Sequence, residues 1–328
     1  MGSKPRVITV AAAQLGPVKS LDTPRKETLG RMIALLDEAA EAGVRLVVYP
    51  ELAFTTFFPS HIIEDPDKLA GFLEPTSRAE PYAVINSPNV KPLIDRANEL
   101  GVDVSFGFGE RFTSEDGKVT DFNSAIYYSA TQKRGIGKYR KVHLPGRFDI
   151  DTRRNFIQQL EKRYFTPGDL GFQAFRVPDL VDGALKAADA ASEQDSEGKG
   201  DPIEGYNTTA YAPQYGGDEA EQEAEALFHH CLSCQSGSYT NACYSINVAK
   251  AGWEDHGKMI AGSSIIDPNG HIIAESKSYE DELVIASIDL AKCRKGKERV
   301  FAFGRHRRIE HYSLLSEQVG VKEPPLLR

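Results

Sequence analysis

The stretch that most constrains this chain is Val47–Pro59, VVYPELAFTTFFP. A short apolar run, Val44 to Tyr49 with only Arg45 polar, reads as a buried strand. Pro50 ends it, because proline cannot donate to a sheet ladder. Glu51 follows at once, so a carboxylate stands at the carboxyl end of a core strand, where open α/β sheets place their chemistry. Leu52 to Phe58 are apolar or small except for Thr55 and Thr56. A carboxylate in such surroundings is poorly solvated, which suits it to act as a base near neutral pH. The alternative is a glutamate at a helix N-terminus that faces water.

The rest of the chain can supply a large core around this stretch. Its 328 residues are 41% hydrophobic and 26% charged, the balance of an ordinary globular protein. The net charge of −8 and the lack of a strong basic cluster argue against a nucleic-acid surface. No apolar run is long enough to span a bilayer, so no membrane role is expected. The start, MGSKPRVITV, lacks the apolar core of a signal peptide, and Arg6 stands where a myristoylation site needs Ser or Thr. The four cysteines, Cys231, Cys234, Cys243 and Cys293, are then expected as free thiols in a reducing, cytoplasmic compartment.

Taken in order, Val7–Ala13 reads as a first strand and Glu27–Ala42 as a helix with Leu29, Met32, Ile33, Leu36 and Ala40 on one face. Gly43 caps it, and the strand before Glu51 completes a strand–helix–parallel strand unit. Pro92–Leu100 is a second helix capped by Gly101; Val102–Phe108 and Phe122–Ser129 are strands around an Asp116-Gly117 turn. Ile136–Leu144 runs into Pro145-Gly146. Further on, Glu219–Gln235 is helical, Ala242–Ala249, Ile260–Ile266 and Leu283–Asp289 are strands, and DPNG at 267–270 is a turn before His271–Glu275. Residues 189–201 are small, charged and aperiodic, so 182–203 is expected as a mobile surface loop within one domain spanning 5–315, followed by a tail at 316–328.

Four motifs carry a resemblance: VVYPELAFTTFFP, GKYRKVHLPG (137–146), LEKRYFTPGDLGF (160–172) and GYNTTAY (205–211). Together they are similar to the nitrilase (carbon–nitrogen hydrolase) superfamily. The third motif, the pair His229-His230 and QSGSYTN (235–241) bring the chain nearest to the N-carbamoyl-D-amino acid amidohydrolases. The resemblance implies an α/β fold, an αββα four-layer sandwich, that pairs across a dimer face into a homodimer or homotetramer. It implies a Glu–Lys–Cys triad with no cofactor and no metal. Glu51 falls at the general base and Lys141 at the lysine beside the nucleophile, where a cation can stabilise a developing oxyanion. Glu161 matches a second glutamate that holds the lysine. His143, Asn207, Thr208 and His230, with Gln235, match substrate-side positions. Each has a plain alternative: a solvated lysine, a surface glutamate, a core histidine, a simple turn or helix packing. Strand parity turns Lys138 and Arg140 to the face opposite Lys141, and both are expected to be solvated.

The third catalytic residue is missing from the pattern. Between Phe172 and Gly205 the chain has no strand-to-elbow stretch with a cysteine. In its place stands VDGALKAADAASEQDSEGKGDPIE (181–204), so one strand–helix step is replaced by a polar segment. Three functions stay open. The first is an amidohydrolase that converts N-carbamoyl amino acids to amino acid, carbon dioxide and ammonia, inactive as written. The second is a catalytically dead homologue that serves as partner subunit or binder. The third rests on Cys231 and Cys234 as a CxxC redox or metal pair, against which stand ordinary helix packing and the lack of a second CxxC.

Overall fold

The computed structural model describes residues 5–153, 156–177, 180, 209–211 (backbone), 216–255 and 257–320. The expected loop at 182–203 and most of the C-terminal tail lie outside these residues.

The first strand, β1 (Val7–Gln14), runs parallel to β2 (Leu46–Val48), with α1 (Arg25–Glu41) as the crossover. The crossover forms because Leu29, Met32, Leu35, Leu36 and Ala39 recur at helical spacing and are buried against the sheet. Each such large apolar side chain contributes about 1.5–3 kcal/mol on full burial. The helix ends at Ala42, and Gly43 takes the left-handed φ of 74° that reverses the chain into β2. A short helix, α2 (Pro66–Ala70), leads to β3 (Leu73–Ser77). Next come α3 (Lys91–Leu100), closed by Gly101 at φ 68°, and the long antiparallel pair β4 (Asp103–Thr113) and β5 (Val119–Ser129). Strand β6 (Arg134–Arg140) pairs with β5 and stops short of the expected Leu144. The single turn α4 (Glu161–Tyr164) follows.

These strands form one sheet with β13 (Glu282–Asp289) at its far edge, in the order β13, β1, β2, β4, β5, β6. The parallel strand β3 takes the upper half of the β4 edge: β2 pairs with Asp103 to Ser105, and β3 with Gly109 to Thr113. The second half of the chain adds β7 (Thr209–Tyr211), α5 (Glu219–Asn241), β8 (Ser245–Asn247), β9 (Ala251–Glu254), β10 (Gly257–Ile260), β11 (Ser264–Ile266) and β12 (Ile272–Glu275). Among the described residues these form two three-stranded sheets, β7-β10-β9 and β12-β11-β8. An apolar layer of Ile8, Val10, Leu46 and Val48 from the large sheet with Ile246, Val248 and Ile265 from the second half sits between them. Helices α1 and α3 cover the other face of the large sheet.

Three expectations need correction. The run 260–266 is two strands rather than one, because Ala261 and Gly262 both take left-handed φ values, 56° and 72°, and turn the chain. The stretch 242–249 holds a strand only at Ser245–Asn247, since Ala242 is left-handed at the end of α5. Lys138 and Arg140 do face away from the Lys141 side, but they are buried there and not solvated. On that face the Pro81 carbonyl accepts from Lys138 at 2.8 Å. Glu110 of β4, fully buried, takes two hydrogen bonds from Arg140 at 3.0 and 2.8 Å, one from Ser124 at 2.6 Å, and others from Thr76 and Lys138. Arg140 lies between the rings of Phe112 and Phe122, 4.3 and 4.0 Å from their centroids. Burial pushes the Glu110 carboxyl up, but the two cations and the hydroxyl outweigh it and hold it at about 2.

Candidate active site

The site forms where three unrelated pieces of chain meet. After β2, Pro50 closes the strand and Leu52 adopts a left-handed φ of 46°, so the chain turns sharply and leaves Glu51 at the bend. The bend rests on β4: the Gly107 N–H donates to the Pro50 carbonyl at 3.2 Å, and the Ala53 N–H to the Gly107 carbonyl at 3.0 Å. Only glycine permits this approach, since a Cβ at position 107 would stand 2.6 Å from the Glu51 Cα. Lys141 comes directly after β6, and its backbone N–H still bonds the Asn123 carbonyl at 2.8 Å. Glu161 opens α4, which is pinned by the Leu160 N–H on the Pro59 carbonyl at 2.9 Å. The Tyr164 hydroxyl adds two bonds, to the His61 carbonyl at 2.7 Å and from the Ile63 N–H at 2.8 Å. Leu160 and Tyr164 pack with Leu52, Phe57 and Phe58, so the segments bearing Glu51 and Glu161 share one apolar cluster.

These pieces bring Glu51, Lys141 and Glu161 into mutual contact. The Lys141 Nζ lies 2.8 Å from a Glu51 oxygen and 3.1 Å from a Glu161 oxygen. Asn123 of β5 donates its amide to both carboxylates, at 3.2 Å for Glu161. The sequence marked the strand but not this residue; its only signal was an odd position on the face that carries Ala125 and Tyr127. Glu161 is 1% exposed, Glu51 11% and Lys141 22%, so Lys141 is the most exposed side chain of the three. Burial pushes the Glu161 carboxyl up to about 7, Glu51 adds to this, and Lys141 opposes both. Burial acts to lower Lys141, but the two carboxylates overcome it and raise it, so the cation is firm at neutral pH. The arrangement can hold a fixed positive charge beside a carbonyl oxygen and offer a carboxylate to a proton.

The other expected residues are held elsewhere. His143, just past Lys141, stacks its ring on that of Phe172 with centroids 6.0 Å apart. His230 is buried on α5; its Nε2 meets the Gly262 carbonyl at 3.1 Å and its Nδ1 the Cys234 sulfur at 3.8 Å, while burial draws its pKa down. Gln235 donates to the Gly270 carbonyl at 2.6 Å, in the turn before β12. Asn207 and Thr208 lie outside the described residues. All four cysteines are free thiols. Burial and Glu275 push the Cys231 thiol up, and burial does the same to Cys293, the opposite of what an attacking thiolate needs. Among the described residues no three His, Cys, Asp or Glu side chains cluster as a metal site, and no helix is long and apolar enough to cross a membrane.

Comparison with known proteins bears on the family and the fold. The chain is 24% identical over 323 residues to an N-carbamoylputrescine amidase of Solanum tuberosum, covering 96% of this chain and 97% of that one. It is 27% identical over 286 residues to a nitrilase of Pyrococcus abyssi, covering 87% and 90%. In fold it is similar to a carbon-nitrogen hydrolase from Helicobacter pylori G27, with a TM-score of 0.67, 19% identity and coverage of 95% and 99%. It is also similar to Saccharomyces cerevisiae Nit3, a member of branch 10 of the nitrilase superfamily, with a TM-score of 0.58, 18% identity and coverage of 92% and 97%. These neighbours fit the expected αββα sandwich. The profile of the family described as carbon-nitrogen hydrolase matches residues 9–189 and 219–298, and the chain belongs to that family.

Proposed function

We propose that this chain carries the binding and charge-stabilising part of a carbon–nitrogen hydrolase site for N-carbamoyl amino acids or related small amides, without the thiol that would form the covalent intermediate. The single observation behind it is the Lys141 ammonium held between Glu51 and Glu161 in a chain whose first cysteine is Cys231. The family match runs to 189 and resumes at 219, so it breaks off inside the polar stretch at 181–204 where the resemblance calls for a nucleophile. In the complete reaction a base such as Glu51 takes the proton of a thiol, and the resulting thiolate attacks the ureido carbonyl. The protonated base returns that proton to the leaving nitrogen, which departs as ammonia. Water then frees a carbamate, which yields amino acid and carbon dioxide. Lys141 serves the oxyanion of both tetrahedral steps, and Glu161 keeps Lys141 in place. The family resemblance assigns His143, Asn207, Thr208 and His230 to the substrate side. A carboxylate and an ammonium alone cannot supply the covalent step, so the chain binds and does not turn over.

The test measures ammonia release and calorimetric binding with N-carbamoyl-D-alanine and N-carbamoylputrescine. The expected result is heat of binding, lost in Lys141→Met, with ammonia release at the buffer background. Ammonia release abolished by Cys231→Ala or Cys234→Ala overturns it and makes a helix cysteine the nucleophile. A second reading, a partner subunit in a homo-oligomer or with an active homologue, is favoured by the exposed Phe228, Leu232 and Tyr239, which line one stripe of α5. Sedimentation at micromolar concentration tests the homo-oligomer, and a monomer removes that form of the second reading. Free thiols at all four cysteines fit a reducing, cytoplasmic setting.

A further inference from the structure

Behind the Glu51 bend lies a second ion pair that the reaction does not use. Lys250, between β8 and β9, is 0% exposed, and Glu254 at the end of β9 is 2% exposed. The two meet at 2.9 Å. Three of their remaining side-chain bonds converge on one stretch of chain. Lys250 donates to the Thr55 carbonyl. One Glu254 oxygen accepts from the Phe57 N–H at 2.8 Å and the Thr56 hydroxyl at 3.2 Å; the other accepts from the Val18 N–H at 3.1 Å. Thr55 to Phe57 continue directly from the Glu51 bend, are buried, and belong to no helix or strand. A buried irregular segment needs partners for its backbone groups, and here the ion pair supplies them.

A buried ion pair adds little stability over apolar packing, because desolvation offsets the Coulomb attraction. A purely structural filler would therefore need no charges at this place. The bend is held at its near end by Gly107 and at its far end by Lys250 and Glu254, with the left-handed Leu52 between them. We infer that Lys250 and Glu254 are positioning residues that fix the Glu51 carboxylate against the Lys141 ammonium by clamping Thr55–Phe57. The assignment of a role to Glu51 rests on the function proposed above; the clamp itself does not.

The test uses the full chain labelled with 15N-lysine and follows the Lys141 ammonium resonance, assigned by its loss in Lys141→Met. No ligand is needed, so failure to bind a carbamoyl compound leaves this experiment intact and counts only against the proposed function. Lys250→Met and the isosteric Glu254→Gln should each shift or broaden the Lys141 signal while the circular dichroism spectrum stays native, and Lys250→Arg should restore part of it. Lys258→Met, which removes a more exposed pair with Glu219 and Glu223, is the control and should leave the signal in place. If either Lys250→Met or Glu254→Gln folds and leaves the Lys141 resonance unchanged, the pair is structural only and the inference is wrong. Should Lys250→Met fail to fold, Glu254→Gln alone decides.

Discussion

Replacing Glu110 with glutamine tests the buried charge cluster of β4 and β6 at one atom's cost in shape. The carboxylate takes bonds from Arg140, Lys138, Ser124 and Thr76, and its pKa of about 2 compares with an ordinary value of 4.5. At about 1.4 kcal/mol per tenfold change, that difference corresponds to about 3 kcal/mol of folding stability near neutral pH. A second route gives the same size: removing one partner of a buried pair costs about 3–5 kcal/mol, because the other charge is left uncompensated. Arg140 would retain Asp169 at 2.8 Å, but that carboxylate is 59% exposed and screened by water. The sign follows from the depressed folded-state pKa. The contribution is present above pH 4.5 and is lost as pH falls through about 2. Urea unfolding of wild type and Glu110→Gln at pH 7 should show a gap of about 3 kcal/mol, a midpoint drop of about 1 M for a slope of about 3 kcal/mol per M. The gap should close as pH is taken toward 2. A loss below about 1 kcal/mol at pH 7, or a gap that does not change with pH, would refute the reasoning.

Other outcomes follow from the same structure. Glu161→Gln should gain on wild type as pH rises: the carboxyl, held near 7 by burial and Glu51, penalises the folded state once ionised, so wild type should lose relative stability between pH 4.5 and 7; parallel thermal melts across that range check this. Lys141→Met leaves two carboxylates facing each other and should cost about 3–5 kcal/mol at pH 8, with partial recovery at pH 5 when one is protonated, read by denaturant midpoints. Gly107→Ala should cost about 1–3 kcal/mol from overpacking against the Glu51 and Leu52 backbone, and should weaken the calorimetric heat with N-carbamoyl-D-alanine if Glu51 belongs to the binding site.

Much of this could be read from local pattern. Strand β2, helix α1 and the bend at Glu51 follow from spacing and from one proline, and the motifs around Lys141 and Glu161 pointed to side chains that meet in the structure. What stayed hidden is non-local. Parity told which way Lys138 and Arg140 point, but not that Glu110 and the Pro81 carbonyl, from earlier segments of the chain, meet them there. Asn123 bridges two carboxylates only because β5 runs beside β6 in this register. Lys250 and Glu254 lie in an apolar run where a charge looks like surface, and their partners arrive from Thr55–Phe57. The turn at Ala261 carries no turn residue of its own before Gly262, so the run looked continuous.

The division of the β4 edge between β2 and β3 has a consequence for how this scaffold can change. Between the two neighbours the edge lacks a strand partner at Phe106 to Phe108, and the Glu51 bend fills that gap by bonding both backbone groups of Gly107. The bend thus completes the sheet as a missing piece of strand would. Loosening it opens an unpaired edge in the middle of the core, so the acidic residue is as immobile as the sheet itself. New specificities on this scaffold must therefore arise in the loops around the carboxylate, while the carboxylate itself stays where the strand order puts it.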